Sequence, residues 1–259
     1  GTTLADIARE WLAAEKQADT GDLPDLMKFV NQKRGRPVEY QSDLPGAEVL
    51  AERAEVYTEL TVPAGGLILT LTVDVQHDRI ALIMRAWGRG EESWLVLWTE
   101  LAAETSTADK NDPVWAELDR YLFGVYRQSK GYTLRISAAS LDSSDGQTND
   151  AVYHYVRTRK KRFAKLLAIK GSSTIDAEIL TAPRKIDLNS KSTKASKYGL
   201  QVYMVGVTKA KDLLHERLKL TGDGPGRMHT YKDVRSDYFE QLLGEIKAPS
   251  KRHAGKKVY

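Results

Sequence analysis

The 259-residue sequence contains no cysteine, and this absence removes several kinds of chemistry at once. Disulfide bonds, thiolate zinc sites and cysteine nucleophiles are all excluded. The five histidines are scattered, and no two of them have the spacing of a zinc-binding pair on one helix. The sequence also has no Walker A motif, so we expect this chain not to hydrolyse ATP.

Long apolar runs are missing as well. The mean hydropathy is -0.45, and no apolar run approaches the roughly 20 residues that a membrane-spanning helix needs. The first residues, Gly1 to Leu4, lack the basic and apolar regions of a signal peptide. We therefore expect no membrane partner. Hydrophobic residues make up 41% of the chain, which suffices for one large domain or for one domain with an appendage.

The net charge is only +4, but the positive charge is clustered. Clustered lysines and arginines neutralise phosphates, so we predict double-stranded DNA as the partner. The alternative is structural, because cations in the last turns of a helix also interact favourably with its dipole. The candidate DNA-binding residues of the first cluster are Arg157, Arg159, Lys160 and Lys161. Two further basic clusters lie at residues 185–197 and 247–257.

Two aspartates close strand-like runs. Residues 67–75 alternate, which predicts a strand that buries the odd-numbered residues from Leu67 to Val75 and leaves Asp74 on the opposite face. Asp142 follows a second strand-like run at residues 134–141. Either aspartate alone would be read as a turn residue or a helix cap. As a pair at two strand ends, they favour a catalytic role over a structural one.

The order of the predicted elements indicates an α/β fold with a mixed sheet. Three strands at 67–75, 80–87 and 94–100 are followed by a helix from Asp112, the strand at 134–141, a helix at 148–162 and a strand at 163–169. A strand at 200–205 and helices at 209–220 and 234–246 complete the pattern. In this order the fourth strand can lie parallel beside the first, flanked by helices. That is the ribonuclease H-like arrangement.

This arrangement would bring Asp74 and Asp142 together. Carboxylate oxygens are the ligands that hard divalent cations prefer. Two Mg²⁺ or Mn²⁺ ions bridged by an aspartate can activate water and stabilise the leaving oxygen in phosphodiester hydrolysis. We therefore predict that Asp74 and Asp142 are catalytic metal ligands. Lys170 ends a later strand and could hold a phosphate, although a solvated lysine at the edge of the sheet fits equally well.

The segment Pro63 to Gly66 marks a boundary, because proline and glycine break regular structure. We predict a helical connector at residues 1–63, with helices near 4–12, 23–30 and 49–57, and a ribonuclease H-like nuclease domain at residues 64–259. Residues 172–198 are poor in large apolar residues and rich in serine, threonine and lysine. We expect this segment to be mobile until DNA orders it.

Several motifs resemble the nuclease segment of terminase large subunits of the phage lambda type. They are TVDVQHDRI at 72–80, WGRGEESW at 87–94, LDSSDGQT at 141–148 and AIKG at 168–171. Phe29 to Asn31 and RAEVY at 53–57 are similar to the connector between motor and nuclease in that family, and His229, YFEQL at 238–242 and Glu245 to its C-terminal pattern.

The resemblance implies a metal-dependent endonuclease that cuts concatemeric viral DNA at the start and end of packaging. It also implies a packaging ATPase outside this sequence, the small terminase subunit and the portal protein as partners, and the host cell cytoplasm as location. Asp74 and Asp142 match the first two metal ligands of the family. The family's third ligand lies in a later Asn-Glu-x-x-Asp segment that this sequence lacks, so Asp237 and Glu245 are expected to replace it, ahead of Asp233 and Glu240.

Two alternatives remain open at this stage. A resolvase or transposase core would share the strand order and the chemistry, but would lack the helical connector. A non-catalytic module of the packaging complex would bind DNA or docking partners through the basic clusters and would cut nothing.

Overall fold

A computed structural model of the chain describes residues 3–19, 29, 44–163, 165–185, 200–245, 247–249 and 257–258. The chain divides into two compact units, one formed by residues 1–44 with 241–259 and the other by residues 45–240. The boundary that we expect at residues 63 and 64 separates connector from nuclease by function, and it stays a prediction.

The described residues form thirteen strands and six α-helices. The strands are β1 Thr61–Val62, β2 Ile68–Val75, β3 Arg79–Trp87, β4 Ser93–Ala102, β5 Tyr126–Gln128, β6 Thr133–Leu134, β7 Ile136–Asp142, β8 Leu166–Gly171, β9 Arg184–Lys185, β10 Gln201–Val205, β11 Met228–His229, β12 Ala248–Pro249 and β13 Lys257–Val258. The helices are α1 Leu4–Asp19, α2 Ala47–Glu52, α3 Val114–Leu122, α4 Asn149–Arg159, α5 Val207–Lys219 and α6 Tyr238–Leu242.

In the smaller unit, helix α1 begins with a reciprocal cap. The Thr3 N–H donates to Asp6 Oδ2 at 3.0 Å, and the Asp6 N–H donates to Thr3 Oγ1 at 3.2 Å. These bonds satisfy two donors that a helix start leaves unpaired. Trp11 packs against Phe29 with ring centroids 5.4 Å apart. The rest of the predicted helix at 23–30 lies outside the described residues.

The larger unit is built on an eight-stranded mixed sheet of order β11-β4-β3-β2-β7-β8-β10-β9. Strand β3 is antiparallel to both β2 and β4, whereas β7 is parallel to β2, and β8 and β10 continue in parallel. The prediction that the fourth long strand lies parallel beside the first is confirmed. The mixed α/β class is confirmed as well.

Strand β2 alternates as predicted, with Leu69, Leu71, Val73 and Val75 buried. Helices α3 and α4 cover this face of the sheet through Leu118, Leu122 and Tyr155, each no more than 2% exposed. The buried face is therefore apolar and closed. The opposite face of β2 carries Thr72 and Asp74, both exposed.

Several sequence-based boundaries were wrong. Leu67 lies before β2 and is 53% exposed, because the strand begins one residue later. The helix predicted at 234–246 is only α6, and its first two residues, Tyr238 and Phe239, are buried. The two-residue strands β1, β6, β9 and β11 were not predicted, since two residues are too few to show alternation.

The polar segment at 172–198 is described only to residue 185, and residues 186–199 lie outside the described part. The described part is hydrogen-bonded to β10 and to the residue after it, and ordering of the segment by DNA stays a prediction. The Thr181 N–H donates to the carbonyl of Met204 at 3.1 Å, and the Gly206 N–H donates to the carbonyl of Glu178 at 3.0 Å. Backbone pairing orders this stretch despite its polar composition.

None of the described helices is long and apolar enough to cross a membrane.

Candidate active site at the carboxyl end of the sheet

Asp74 and Asp142 stand on neighbouring strands at the same end of the sheet. Val73 on β2 is paired with Leu141 on β7, and both side chains are buried. Asp74 and Asp142 are the next residues along these two parallel strands, so both face away from the core. Adjacent strands lie about 5 Å apart. The two carboxylates are thus close neighbours on one open surface.

Neutral donors orient both carboxylates. The Gln76 side-chain amide donates to Asp74 Oδ2 at 3.1 Å. Ser144 donates to Asp142 Oδ1 twice, from its N–H at 3.0 Å and from its hydroxyl at 2.7 Å. The described part of the chain supplies no hydrogen bond to Asp74 Oδ1 or to Asp142 Oδ2. One oxygen of each carboxylate is therefore available to a cation.

Ser144 also ties Asp142 to the next strand. Its Oγ accepts a hydrogen bond from the Gly171 N–H at 3.2 Å, at the end of β8. Ser143 donates from its hydroxyl to the carbonyl of Ile169 at 2.8 Å. These bonds fix the backbone that follows Asp142 against β8, so the position of this carboxylate is set by two strands.

A third acidic group lies in register with Asp74. Asp74 is paired with Ala81 on β3, and Ala81 with Glu100 on β4, so Glu100 shares the face of Asp74 about 10 Å away across two strand spacings. The Arg235 guanidinium donates a hydrogen bond to Glu100 Oε2 at 3.2 Å. It also donates to both carboxylate oxygens of Asp237, at 2.6 and 3.1 Å. The structure therefore places Asp237 beside this face, paired with an arginine.

The other predicted site residues are placed differently. Glu245 falls in the smaller unit, outside the body that holds Asp74. Ile169 is paired with Asp142, so strand alternation turns Lys170 toward the opposite face of the sheet, although at the same end. Lys170 is exposed. Its role as a phosphate contact stays a prediction.

The basic cluster lies at the other end of the sheet from the aspartates. Helix α4 starts just after Asp142 and leads back to the beginning of β8, so Arg157 and Arg159 are about 16 Å away along its axis. Arg159 is bound by Asp119, which accepts from Arg159 Nη2 at 2.9 Å and from the Tyr155 hydroxyl at 2.7 Å. Lys161 is exposed and Lys160 partly exposed.

The loop after β4 supports the turn that follows Asp74. Asp112, only 3% exposed, accepts hydrogen bonds from the N–H groups of Thr105 at 2.6 Å and Val114 at 2.9 Å. Burial alone would raise its pKa, but these bonds lower the pKa to about 2. From this anchored loop, the Thr107 N–H donates to the carbonyl of His77 at 3.1 Å. The turn after β2 is therefore held in place.

A second cluster of ligand-bearing side chains lies at the opposite end. Single ligand atoms of Glu55, Asp223 and His229 lie within 4.8 Å of one another. His229 is paired with Trp94, six residues before Glu100 on β4 and hence about 20 Å along the strand. Sequence reasoning assigned His229 no metal role, because its partners are distant in the sequence. It also overlooked Glu100, Gln76 and Ser144, which only the strand register connects to the aspartates.

Comparisons with known proteins bear on this arrangement. A family model described as the endonuclease domain of terminase large subunit gpA matches residues 2–259 of the chain. The chain belongs to this family. The resemblance inferred from the motifs is confirmed.

Two curated relatives of this chain are terminase large subunits. The protein of Escherichia phage lambda is 28% identical over 233 residues, which is 88% of this chain and 33% of the relative. The protein of Enterobacteria phage P21 is 27% identical over 219 residues, 84% of this chain and 31% of the relative. The chain thus spans about a third of the length of these relatives. No solved structure matches it.

Proposed function

We propose that this terminase endonuclease domain is a hydrolase that uses two divalent metal ions to cut concatemeric viral DNA during genome packaging. The observation that carries the proposal is the placement of Asp74 and Asp142 on adjacent parallel strands, each with one carboxylate oxygen open. The family supports an endonuclease. The role in packaging rests on relatives three times as long, so it belongs to the proposal.

A ribonuclease H-like fold is part of the proposal. Three antiparallel strands, a helical crossover and then strands added in parallel on the other side of β2 support it. In this topology the first and fourth long strands end side by side at the edge where Asp74 and Asp142 lie. The remaining strands extend the sheet without disturbing that edge.

The donor set fits Mg²⁺ or Mn²⁺. Both ions prefer carboxylate oxygens and water, and the two aspartates offer oxygens without a competing cationic side chain among their described hydrogen-bond partners. Such ions would supply an activated water and charge stabilisation at the leaving oxygen. Asp74 would lie between the two ion positions, and Asp142 would complete one of them. Gln76 and Ser144 would keep both carboxylates turned toward the open face.

A third carboxylate would complete the site. Glu100 shares the face of Asp74, and Arg235 binds both Glu100 and Asp237. Because a cation and this guanidinium compete for the same oxygens, Asp237 would have to exchange Arg235 for the ion. Glu245, in the smaller unit, stays a second candidate for this role.

DNA would be held through its backbone. Arg157 lies in the last turn of α4, and Lys160 and Lys161 follow it, about 16 Å from the aspartates, a span of roughly five base pairs. Contacts at that distance would position the duplex without reading its sequence. We further propose the small terminase subunit and the portal protein as partners, and the host cell cytoplasm as the place of action.

The deciding experiment is nicking of a supercoiled plasmid in the presence of Mn²⁺. We expect cleavage by the wild-type protein and none by Asp74→Ala. Asp78→Ala is the matched control, because Asp78 is an exposed carboxylate in the turn just after β2 and its exposed partner is Arg79. Plasmid binding without Mn²⁺-dependent cleavage by the wild type would instead identify a non-catalytic docking module. Cleavage restricted to branched DNA would identify a resolvase.

A further inference from the structure

The cluster around His229 is independent of the candidate active site. Its members come from three parts of the larger unit that are distant in sequence: Glu55 just after α2, Asp223 in the glycine-rich loop after α5, and His229 on β11. Strand β11 runs beside the first residues of β4, at the opposite end of the sheet from Asp74. No ion can therefore be shared between the two places.

The imidazole ring of His229 is held in one orientation. The side chain is 2% exposed, and its ring is stacked on Trp94 with centroids 5.0 Å apart and planes 7° apart. Its Nε2 lies 2.9 Å from Glu92 Oε1, and the Gly224 N–H donates to the same oxygen at 2.7 Å. Glu92 is thereby fixed as an acceptor for an Nε2–H donor.

The other ring nitrogen, Nδ1, is hydrogen-bonded to Glu55 Oε1, so a metal ion would bind Nδ1 in place of that bond. A histidine that binds a metal through one nitrogen usually donates its other N–H to a carboxylate, which sets the tautomer and makes the ligand more basic. Glu92, His229 and Glu55 reproduce that relationship.

Entry of an ion requires a small rearrangement: Nδ1 of His229 and Oε1 of Glu55, now in direct contact, separate, and Asp223 approaches them. The chosen atoms of Glu55, Asp223 and His229 lie within 4.8 Å of one another, whereas atoms about 2 Å from one ion are at most about 4 Å apart. Asp223 is exposed and lies between Gly222 and Gly224, both at positive φ. Its side chain can therefore move by the ångström that is required without disturbing packed residues.

The charge around the cluster also has room for a cation. Three carboxylates, those of Glu55, Glu92 and Asp223, are near Arg227 and are only partly balanced by it and by Arg53. Nitrogen with carboxylate oxygen is the ligand set of Zn²⁺, while Mg²⁺ favours oxygen alone. A hard catalytic ion would therefore prefer the aspartates, and a borderline ion would prefer this cluster.

We propose that Glu55, Asp223 and His229 form a zinc-binding site, with Glu92 orienting the histidine and a fourth position open to water. The ion would join the end of α2, the glycine-rich loop and the edge strand β11. Its role would be to stabilise the fold, because residues 55 and 229 are 174 positions apart in the chain. This site would be separate from the metal centre that we propose for cleavage.

The test uses the whole chain after removal of metals by dialysis against a chelator. Zn²⁺ is titrated in competition with a chromophoric chelator, and thermal unfolding is followed with Zn²⁺ and with Mg²⁺. At a Zn²⁺ concentration one hundred times Kd, we expect Tm to rise by about 5–10 °C. Mg²⁺ at the same concentration should leave Tm unchanged.

Asp223→Asn is the informative variant, because Asp223 is exposed and its replacement leaves the bonds of His229 to Glu55 and Glu92 in place. We expect it to weaken zinc binding by tenfold or more, to reduce the rise in Tm at the same Zn²⁺ concentration by about half or more, and to preserve Mn²⁺-dependent plasmid cleavage. Glu52→Gln, which removes an exposed carboxylate three residues before Glu55, is the matched control and should bind zinc as the wild type does.

Three results would overturn the proposal. The wild type could take up no zinc below millimolar concentration. The cluster would then be a set of ion pairs around His229 and not a metal site. Asp223→Asn could bind zinc as tightly as the wild type. Zinc uptake could be abolished in Asp74→Asn and retained in Asp223→Asn, which would assign the ion to the candidate active site.

Discussion

The two ends of the central sheet carry carboxylates in opposite circumstances. At the carboxyl end of β2 and β7, Asp74 and Asp142 receive hydrogen bonds only from the neutral side chains and backbone of Gln76 and Ser144. At the other end, Glu55 and Glu92 flank the buried ring of His229, and Arg227 is close to both. One pair is open and uncompensated, and the other is enclosed and partly balanced.

This difference indicates what each end can do. Uncompensated carboxylates on adjacent strands repel one another, and an external cation relieves that repulsion. A balanced cluster contributes to the fold without a ligand, and a metal ion must displace an existing bond to enter it. We therefore expect substitutions at the open end to change activity and substitutions at the enclosed end to change stability.

The largest effect should follow from Asp74→Asn or Asp142→Asn. Each change removes charge and metal coordination but preserves shape, so the fold should survive. Loss of several kcal/mol of transition-state stabilisation corresponds to roughly a thousandfold slower cleavage or more. Plasmid cleavage with Mn²⁺ and the Tm of each variant measure the two effects. Near-normal cleavage by either variant would remove the proposed function from this end of the sheet.

Ser144→Ala should have the next largest effect. Ser144 positions Asp142 and connects it to Gly171, so its replacement should raise the Mn²⁺ concentration for half-maximal cleavage by about 10–100-fold. The maximal rate at saturating Mn²⁺ should change far less. Ser137→Ala, an exposed position on the same strand, is the control. An unchanged Mn²⁺ requirement would show that Asp142 needs no such support.

Asp112→Ala removes a buried carboxylate whose oxygens accept hydrogen bonds from backbone N–H groups. The substitution leaves several backbone N–H groups unpaired and should lower the free energy of unfolding by about 2–3 kcal/mol. Because the folded pKa of Asp112 is lowered to about 2, this contribution is complete above about pH 4 and is lost as the pH falls through 2.

Denaturant titrations between pH 6 and pH 2 measure this contribution. The difference between wild type and Asp112→Ala should stay constant down to about pH 4 and shrink below it. The exposed Asp109 of the same loop provides the comparison, since Asp109→Asn should cost less than about 0.5 kcal/mol. A difference between wild type and Asp112→Ala that does not change with pH would contradict the assigned cause.

The smallest effect concerns the basic cluster. Replacing Lys160 and Lys161 by glutamine should weaken DNA binding and reduce the slope of log K against log salt by up to about 0.9 for each phosphate that is no longer neutralised. Arg159→Gln should instead lower stability, because Asp119 already binds its guanidinium. Binding assays at several salt concentrations separate the two outcomes. An identical slope in the lysine variant would show that these side chains point away from DNA.

The sequence alone determined the strands that matter most. The alternation of Leu69 to Val75 predicts a half-buried strand with Asp74 on its open face, because side chains of a strand alternate with a period of two. The order of strands and helices also predicted β7 beside β2, and with it two neighbouring strands that end at the aspartates. These inferences succeed because each depends on a local pattern or on connections between consecutive elements.

Only the tertiary structure decided what surrounds them. The register of β2, β3 and β4 places Glu100 on the face of Asp74. Arg235 binds Glu100 and also binds Asp237. Strand β11 adds two residues to the edge of β4, and in doing so it brings His229 to Glu55. Two residues carry no readable period, and contacts between side chains more than 100 positions apart depend on how the whole chain packs.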